Sequence, residues 1–198
     1  MALECELKYL SVDLDAIRCR LQEAGGTHSG RYFESNLVFD YPDRSLKAKS
    51  VLLRLREKQG KAILTVKRPP EEYIPSVLKV SDEIETSVGD LNVMKTALET
   101  LGFKVFFSYE KVREKWHFMD CIICLDQMPF GYFVEIEGTD VSVPACAQAI
   151  GLGGHVTTTE TYHALNLSDR RDRGLAPNEN FVFEEPFRTR LLAELDKE

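Results

Sequence analysis

The feature that most constrains this chain is a repeated alternation of charged and apolar residues. In Glu4-Cys5-Glu6-Leu7-Lys8 the charged side chains share one face of a β-strand, because neighbouring side chains of a strand point to opposite faces. Later segments repeat this layout with a charged pair around an apolar residue: Arg54 and Arg56, Glu83 and Glu85, Lys111 and Arg113, and Glu135 and Glu137. The pattern predicts strands with one apolar and one charged face.

The charges on these faces are sorted by sign, with carboxylate pairs on some strands and cation pairs on others. A solvated face is the simplest interpretation of any single segment, since antiparallel strands normally alternate apolar and polar residues. Taken together, the segments favour a closed barrel with its charged faces inward. Paired carboxylates attract divalent cations, and Arg and Lys bind phosphate oxygens. The sequence therefore predicts a site for a metal-bound polyphosphate.

Composition narrows the class of partner. The 198 residues are 43% hydrophobic and 29% charged, which is typical of one substantial folded unit. A net charge of −7 argues against nucleic acid, although clustered cations can still hold one compact polyanion. Cys121 and Cys124 have metal-type spacing without a second pair, which favours a strand core. No signal peptide or membrane-spanning run is visible, so we expect a cytoplasmic protein without a membrane partner.

Along the chain, the strand and helix signals predict an α+β protein. Apolar residues at helical spacing, with Asp residues as caps, indicate a helix after Asp13 or Asp15 and another at 90–101. Further strands are predicted at 27–41, 51–58, 61–68, 79–87, 103–118, 121–126 and 132–138, and further helices at 143–151, 159–167 and 187–195. The proline-rich loop 69–78 is expected to cover one mouth of the barrel. This order favours one antiparallel barrel with helices packed outside.

A series of short motifs resembles, in the same order, the motifs of the CYTH superfamily, the triphosphate tunnel metalloenzymes. They are Glu4-x-Glu6-x-Lys8, Leu53-Arg54-Leu55-Arg56, Thr65-Val66-Lys67, Asp82-Glu83-Ile84-Glu85, Glu110-Lys111-Val112-Arg113, Asp126 and Phe133-Val134-Glu135-Ile136-Glu137. The resemblance implies an eight-stranded antiparallel β-barrel tunnel with helices outside. Members of this family include class IV adenylyl cyclases and several triphosphatases.

The resemblance also implies a role for each matching residue. The ligands of a divalent cation, Mg²⁺ or Mn²⁺, match Glu4, Glu6, Glu135 and Glu137. The positions that hold the triphosphate match Arg54, Arg56, Lys67, Lys111 and Arg113. Acidic positions that keep these cations in place or bind a second metal ion match Glu83, Glu85 and Asp126. Lys8 is expected to orient or deprotonate the attacking group, and the implied catalytic set is Lys8, Glu6 and Asp126.

The reaction itself stays open between two outcomes. Water attacking the terminal phosphorus makes the protein a triphosphatase, whereas a ribose 3′-hydroxyl attacking the α-phosphorus makes it a class IV adenylyl cyclase. Hydrolysis of an inorganic or nucleoside triphosphate is the simpler hypothesis, because no residue pattern is assignable to adenine or ribose. Conversion of ATP to cyclic AMP is the alternative, and a non-catalytic barrel that binds polyphosphate or nucleotide is a third.

Two positions bear on the branch of the family. Thiamine triphosphatases carry a tyrosine two residues before the aspartate that ends the second long strand, and this chain has Val38 before Asp40. That departure argues against a mechanism using that tyrosine, and the motif spelling is closer to the bacterial class IV cyclase-like branch. Thr161-Tyr162 resembles the Ser-Tyr of this branch, but a helix cap and a packed ring explain the pair equally well.

The resemblance divides the chain in two. Residues 1–167 are expected to form the triphosphate-tunnel domain. Residues 168–198 form a C-terminal extension, whose amphipathic turn at 187–195 is expected to pack on the barrel or to contact a second copy in a homodimer.

Overall fold

The computed structural model describes residues 2–196, apart from the side chain of residue 2. The strands are β1 (Ala2–Leu10), β2 (Thr27–Asp40), β3 (Leu52–Lys58), β4 (Lys61–Arg68), β5 (Lys79–Val88), β6 (Lys104–Phe118), β7 (Cys121–Met128), β8 (Gly131–Glu137) and β9 (Thr157–Thr158). The helices are α1 (Leu14–Glu23), α2 (Ser45–Ala48), α3 (Leu91–Thr100), α4 (Ser142–Ala149), α5 (Tyr162–Asp172) and α6 (Phe187–Leu195).

Strands β1 to β8 close into one antiparallel barrel. Hydrogen-bonded neighbours follow the order β5-β4-β3-β2-β6-β7-β8-β1, and the first half of β1 pairs with β5 to close the ring. This arrangement confirms the predicted fold class, an α+β protein with an eight-stranded antiparallel barrel and helices outside. The two-residue β9 was not predicted; it pairs with the second half of β1, where Lys8 lies opposite Thr158.

Alternation along each strand separates the two faces of the barrel wall. Charged residues at every second position face a central cavity, and the apolar residues between them face the helices. Ile136, for example, lies between two cavity-lining glutamates and is fully buried in a cluster with Ile17 of α1 and Val143 of α4. A slip of one residue would place the charges under the helices, so burial of the apolar face fixes which face turns inward.

Cys121 and Cys124 lie in β7 as predicted, and both are buried free thiols. Cys121 belongs to the apolar cluster outside the barrel, whereas Cys124 lines the cavity. The strand therefore holds the two sulfur atoms on opposite sides of the wall, which does not suit a shared metal ion.

The long helices outside the barrel begin where capping side chains satisfy free backbone N–H groups. Such hydrogen bonds are accepted by Asp13 at α1, Asp90 at α3 and Thr161 at α5. Helix α5 runs to Asp172, five residues past the predicted end at 167, and basic Arg170 and Arg171 in its last turn suit the negative end of the helix dipole. None of the helices within residues 2–196 is long and apolar enough to cross a membrane.

The C-terminal segment folds back along β6. Phe181 forms a parallel bridge with Tyr109, and its backbone N–H and C=O both hydrogen-bond to β6. Helix α6 adds Leu191, which is buried in a cluster with Val112 and Phe183. The segment therefore contacts the barrel wall directly, while a homodimer through α6 stays a prediction.

The ion pair between Arg188 of α6 and the buried Glu110 of β6 should contribute measurably to stability. The Arg188 Nε atom donates to Glu110 at 2.8 Å, and the side chain of Glu110 is 8% exposed. We expect Arg188→Ala to lower the free energy of unfolding by about 1–3 kcal/mol, because a buried carboxylate loses a charged partner. Urea unfolding measures the change, with Arg190→Ala at an exposed position of the same helix as the control. Equal stability of the two variants would contradict the prediction.

Candidate active site

The inward faces of the strands enclose a cavity of about 660 Å³. Apart from Asp126, all of the predicted site residues line it: Glu4, Glu6, Lys8, Arg54, Arg56, Lys67, Glu83, Glu85, Lys111, Arg113, Glu135 and Glu137. Barrel closure therefore brings together charges that are up to 133 residues apart in the chain, as between Glu4 and Glu137.

Three of the predicted metal-binding carboxylates form a compact group. Glu4, Glu6 and Glu137 each offer one oxygen, and these oxygens lie within 4.8 Å of one another. The β1–β8 register places Glu6 directly opposite Glu137. Burial raises the pKa of Glu137 to about 7 against the attraction of Arg113, and repulsion from Glu135, Glu4 and Glu6 adds to the rise. The raised pKa indicates that the negative charge of Glu137 is incompletely balanced, and the hard oxygen donors of the group fit a divalent cation such as Mg²⁺ or Mn²⁺.

Cations of the protein engage the other three predicted metal ligands, as they also engage Glu4, which pairs with Lys67, and Glu6. Glu135 forms ion pairs with Lys8, at 3.0 Å, and with Arg113. On β5, both carboxylates approach cations: Glu83 lies 3.2 Å from Lys67, and Glu85 lies 3.6 Å from Arg54. These pairs match the structural interpretation of Glu83 and Glu85, in which the carboxylates hold cations in place.

Lys8 lies between two carboxylates on the inner face of β1. Its ammonium group is 2.9 Å from Glu6 and 3.0 Å from Glu135, and its side chain is 2% exposed. Burial alone would lower the pKa of Lys8, but Glu135 and Glu6 raise it above its ordinary value. Glu6 also accepts from Lys79 at 2.6 Å, and Lys8 and Lys79 lower the pKa of Glu6 to about 2 against burial and the repulsion of Glu135. The pair is therefore fully ionised at neutral pH.

Asp126 lies beneath the cations of β6 and is completely buried. Lys111 donates to it at 3.1 Å, Arg113 donates through Nε at 2.7 Å, and the Tyr162 hydroxyl donates at 2.8 Å. The register explains this contact, because Arg113 of β6 is paired with Asp126 of β7. One carboxylate thus fixes two cations that face the cavity.

The arginines of β3 are held from neighbouring strands. Arg54 donates to the Tyr109 hydroxyl at 3.1 Å and to the Thr65 hydroxyl at 3.2 Å. Arg56 donates through Nε to Asn36 at 2.8 Å. These contacts align both guanidinium groups along the cavity wall, where their remaining N–H groups can bind a phosphate.

Sequence reasoning missed Glu34 of β2. Its side chain is completely buried, and its carboxylate lies 3.1 Å from Arg56 and 3.7 Å from Lys111. Burial opposes ionisation, but Lys111 and Arg56 lower the pKa of Glu34 to about 2. The available signal was the alternation Tyr32-x-Glu34-x-Asn36, which mixes an aromatic residue, a charge and an amide and so lacks a like-charged pair.

The two positions that bear on the family branch are also in the cavity wall. Val38 is buried and lines the cavity. Because it is a valine, this position offers no hydroxyl group. Thr161 caps α5, and Tyr162 is buried with its ring 5.2 Å from the Lys8 ammonium. Tyr162 therefore contributes both the hydrogen bond to Asp126 and a cation–π contact.

Comparison with known proteins identifies the family. The CYTH domain matches residues 2–147, well over half of the chain. The chain belongs to the CYTH family. A Methanocaldococcus jannaschii protein named "Putative adenylate cyclase" is 27% identical over 136 residues, which are 68% of this CYTH chain and 76% of that protein.

Solved structures show the same fold. A "putative adenylate cyclase" from Vibrio parahaemolyticus is 25% identical and superposes with a TM-score of 0.70, covering 83% of this chain and 97% of the other. A Hippeastrum protein, described as a putative adenylyl cyclase with a dominant triphosphatase activity, superposes with a TM-score of 0.62 over 90% of this chain and 99% of the other. At 17% identity the second likeness concerns the fold alone.

The carboxylate group predicts a stabilising response to divalent cations. At a Mn²⁺ concentration about 100 times Kd, binding to the folded state should raise Tm by about 5–10 °C. Glu137→Gln should abolish this response and should raise Tm without the cation at neutral pH. The sign follows from the raised pKa, because the stability contributed by Glu137 is lost as pH rises from about 4.5 towards 7.

Differential scanning fluorimetry with and without EDTA measures both effects. Glu57→Gln, on the exposed face of β3, is the matched control and should keep the cation response. A Mn²⁺ response that survives in Glu137→Gln would remove Glu137 from the metal site.

Proposed function

We propose that this protein is a divalent-metal-dependent phosphohydrolase that acts on a triphosphate bound in the tunnel. The supporting observation is one cavity whose wall carries both a compact group of three carboxylates and a set of cations. The cations are Arg54, Arg56, Lys67, Lys111 and Arg113. A triphosphate carries several negative charges along a short chain, so it needs both kinds of group within a few ångströms.

Glu4, Glu6 and Glu137 are the residues that would hold Mg²⁺ or Mn²⁺. When bound there, such a cation polarises phosphate oxygens as a Lewis acid. Glu135 has a supporting role at this end of the tunnel. It lies outside the compact group, and it forms ion pairs with Lys8 and Arg113.

The cations bind and orient the phosphates. Arg54 and Arg56 are positioned by Tyr109 and Asn36, and they also approach the carboxylates of Glu85, at 3.6 Å, and Glu34, at 3.1 Å. A phosphate in the cavity would share both guanidinium groups with these carboxylates. Lys111 and Arg113 share the carboxylate of Asp126, Arg113 also pairs with Glu135, and Lys111 lies 3.7 Å from Glu34. Ammonium and guanidinium groups carry several N–H donors each, so phosphate oxygens can bind the remaining donors without breaking the pairs that position the side chains.

Lys8 and Asp126 take different parts. Lys8 lies in the cavity wall as an ammonium group between Glu6 and Glu135, so it orients the attacking group and does not deprotonate it. Asp126 does not line the cavity, and the hydrogen bonds that it accepts from three residues support a role in positioning Lys111, Arg113 and Tyr162.

Adenylyl cyclisation is the second candidate function. The names of the Methanocaldococcus and Vibrio proteins favour it, whereas the activity described for the Hippeastrum protein favours hydrolysis. Both reactions use the same metal and phosphate contacts, and they differ in whether water or a ribose 3′-hydroxyl lies in line with phosphorus. The five free cysteines agree with the reducing cytoplasm that we propose as the location.

Product analysis distinguishes the two reactions. With Mn²⁺ and either ATP or tripolyphosphate, we expect orthophosphate, with ADP as the second product from ATP. Glu6→Gln should lower kcat at least about 100-fold, since it removes a carboxylate of the metal group and a partner of Lys8. Chromatography of the products makes the measurement, with Glu57→Gln as the control. Pyrophosphate and cyclic AMP in equal amounts would overturn hydrolysis in favour of cyclisation.

Arg56→Lys should weaken every triphosphate by a similar factor. Lysine cannot keep both the Nε contact to Asn36 and a planar pair of donors for phosphate, so we expect KM to rise about tenfold or more. Kinetics with ATP, GTP and tripolyphosphate measure the factors in parallel. A loss confined to one nucleotide would assign Arg56 to the head group of the substrate and not to its phosphates.

A further inference from the structure

A β-bulge in β6 turns two consecutive aromatic side chains toward one mouth of the tunnel. Val38 of β2 pairs with Phe107, and the next residue, Phe39, pairs with Val105, so Phe106 has no partner in β2. Regular alternation would place Phe106 and Phe107 on opposite faces, but both line the cavity. Bulges redirect side chains in this way, often beside functional sites.

More rings complete this mouth, which we call the aromatic mouth and define by Phe106, Phe107, Tyr109, His163 and Phe181. Phe107 is stacked on His163 with 4.4 Å between ring centroids, and Tyr109 is stacked on Phe181 at 5.0 Å. All five side chains line the cavity, and Phe106, Phe107 and His163 are only partly buried. They therefore have surface left for a ligand.

The aromatic mouth adjoins the phosphate-binding cations. The Tyr109 hydroxyl accepts a hydrogen bond from Arg54 at 3.1 Å, so the stacked rings begin where the guanidinium groups end. Ring faces carry partial negative charge and therefore do not favour phosphate oxygens. The cavity of about 660 Å³ also lies in the range of roughly 300–1,000 Å³ that is typical of sites for organic ligands.

The two cations at this mouth, Arg44 and Lys47, already have a carboxylate partner. Arg44 and Lys47 line the cavity, but Glu179 of the C-terminal segment lies 2.7 Å from Arg44 and 3.5 Å from Lys47. The Arg44 guanidinium also lies 4.3 Å from the centroid of the Phe106 ring. A longer polyphosphate would have to compete with Glu179 for these cations, whereas a planar aromatic group could stack on the rings without doing so.

The C-terminal segment supplies part of this wall. Phe181 is held by backbone hydrogen bonds to Ser108 and Glu110, each at 3.1 Å, and is 4% exposed. Both Phe181 and Glu179 lie beyond residue 147, where the match to the CYTH domain ends. The extension therefore shapes an end of the tunnel that the family match does not specify.

We propose that the aromatic mouth binds the planar aromatic head group of an organic triphosphate, of the nucleobase class, while the cations hold its phosphates. The inference rests on the proposed function and names its substrate class. It assigns specificity for the head group to Phe106 and Phe107 and to the C-terminal Phe181.

Binding of uncleavable ligands tests this assignment independently of turnover. The probes are the bis(methylene) analogues of tripolyphosphate, ATP, GTP, CTP and UTP, whose P–C–P bridges resist cleavage, with Mg²⁺ and isothermal titration calorimetry. We expect at least one nucleotide analogue to bind about tenfold or more tightly than the tripolyphosphate analogue, from stacking of the base. Phe107→Leu and Phe106→Leu should each weaken that nucleotide about tenfold and change tripolyphosphate by less than about twofold.

Phe33→Leu is the matched control, because Phe33 packs against Phe183 in the cluster that α6 forms outside the barrel. Phe33→Leu should change neither the Kd of the nucleotide analogue nor that of the tripolyphosphate analogue. Thermal unfolding of each variant shows whether Phe106→Leu and Phe107→Leu are folded, and a folded variant is sufficient for the test. Equal weakening of all ligands, no nucleotide tighter than tripolyphosphate, or no binding at all would overturn the aromatic subsite. The expected binding pattern without turnover would support the aromatic subsite and refute hydrolysis. Turnover of tripolyphosphate without a preference for nucleotide binding would support hydrolysis and refute the subsite.

Discussion

Burial of opposite charges inside a closed barrel is the constraint on which the rest of this structure depends. An isolated charge taken out of water costs several kcal/mol, so each inward side chain needs a partner at hydrogen-bonding distance. Glu34 meets this need for Arg56, and Asp126 meets it for Lys111 and Arg113. The group of Glu4, Glu6 and Glu137 meets it only in part: Glu4 pairs with Lys67 and Glu6 with Lys8 and Lys79, whereas the pKa of Glu137 is raised. The incompletely balanced charge of Glu137 makes this end of the tunnel suitable for a divalent cation.

On strand β6 the pairing of buried charges extends to the outer face of the barrel. Its inner face carries the cations of the cavity, and its outer face carries Glu110 and Glu114, which are also buried. Arg188 of α6 pairs with Glu110, and Arg18 of α1 pairs with Glu114 at 2.8 Å. Elements from both ends of the chain therefore hold the strand that presents Lys111 and Arg113, which we propose bind phosphate. The C-terminal segment pairs with the same strand through Phe181, and the Phe181 side chain lines the tunnel.

Family membership accounts for one end of the tunnel better than for the other. The carboxylates and cations all lie within the part of the chain that matches the CYTH domain, and these groups suit metal and phosphates whatever the head group is. The aromatic mouth combines β6 residues with Phe181 from beyond that part. A shared fold can host different reactions, and the substrate is selected where the lining of the site differs. The Vibrio protein is named a putative adenylate cyclase, whereas the Hippeastrum protein is described with a dominant triphosphatase activity.

The sequence by itself determined the barrel wall and the charged lining of its cavity, because alternation along a strand is local and visible in residues such as Glu4-x-Glu6-x-Lys8. Only the tertiary structure decided which carboxylates meet. Six were predicted to bind metal, yet the strand register groups Glu6 with Glu137 and gives Glu135 to Lys8. It also decided that Glu34 is an ion-pair partner, that a bulge turns Phe106 inward, and that Phe181 returns to β6. These contacts join residues far apart in the chain, and pairing between distant strands leaves no local pattern.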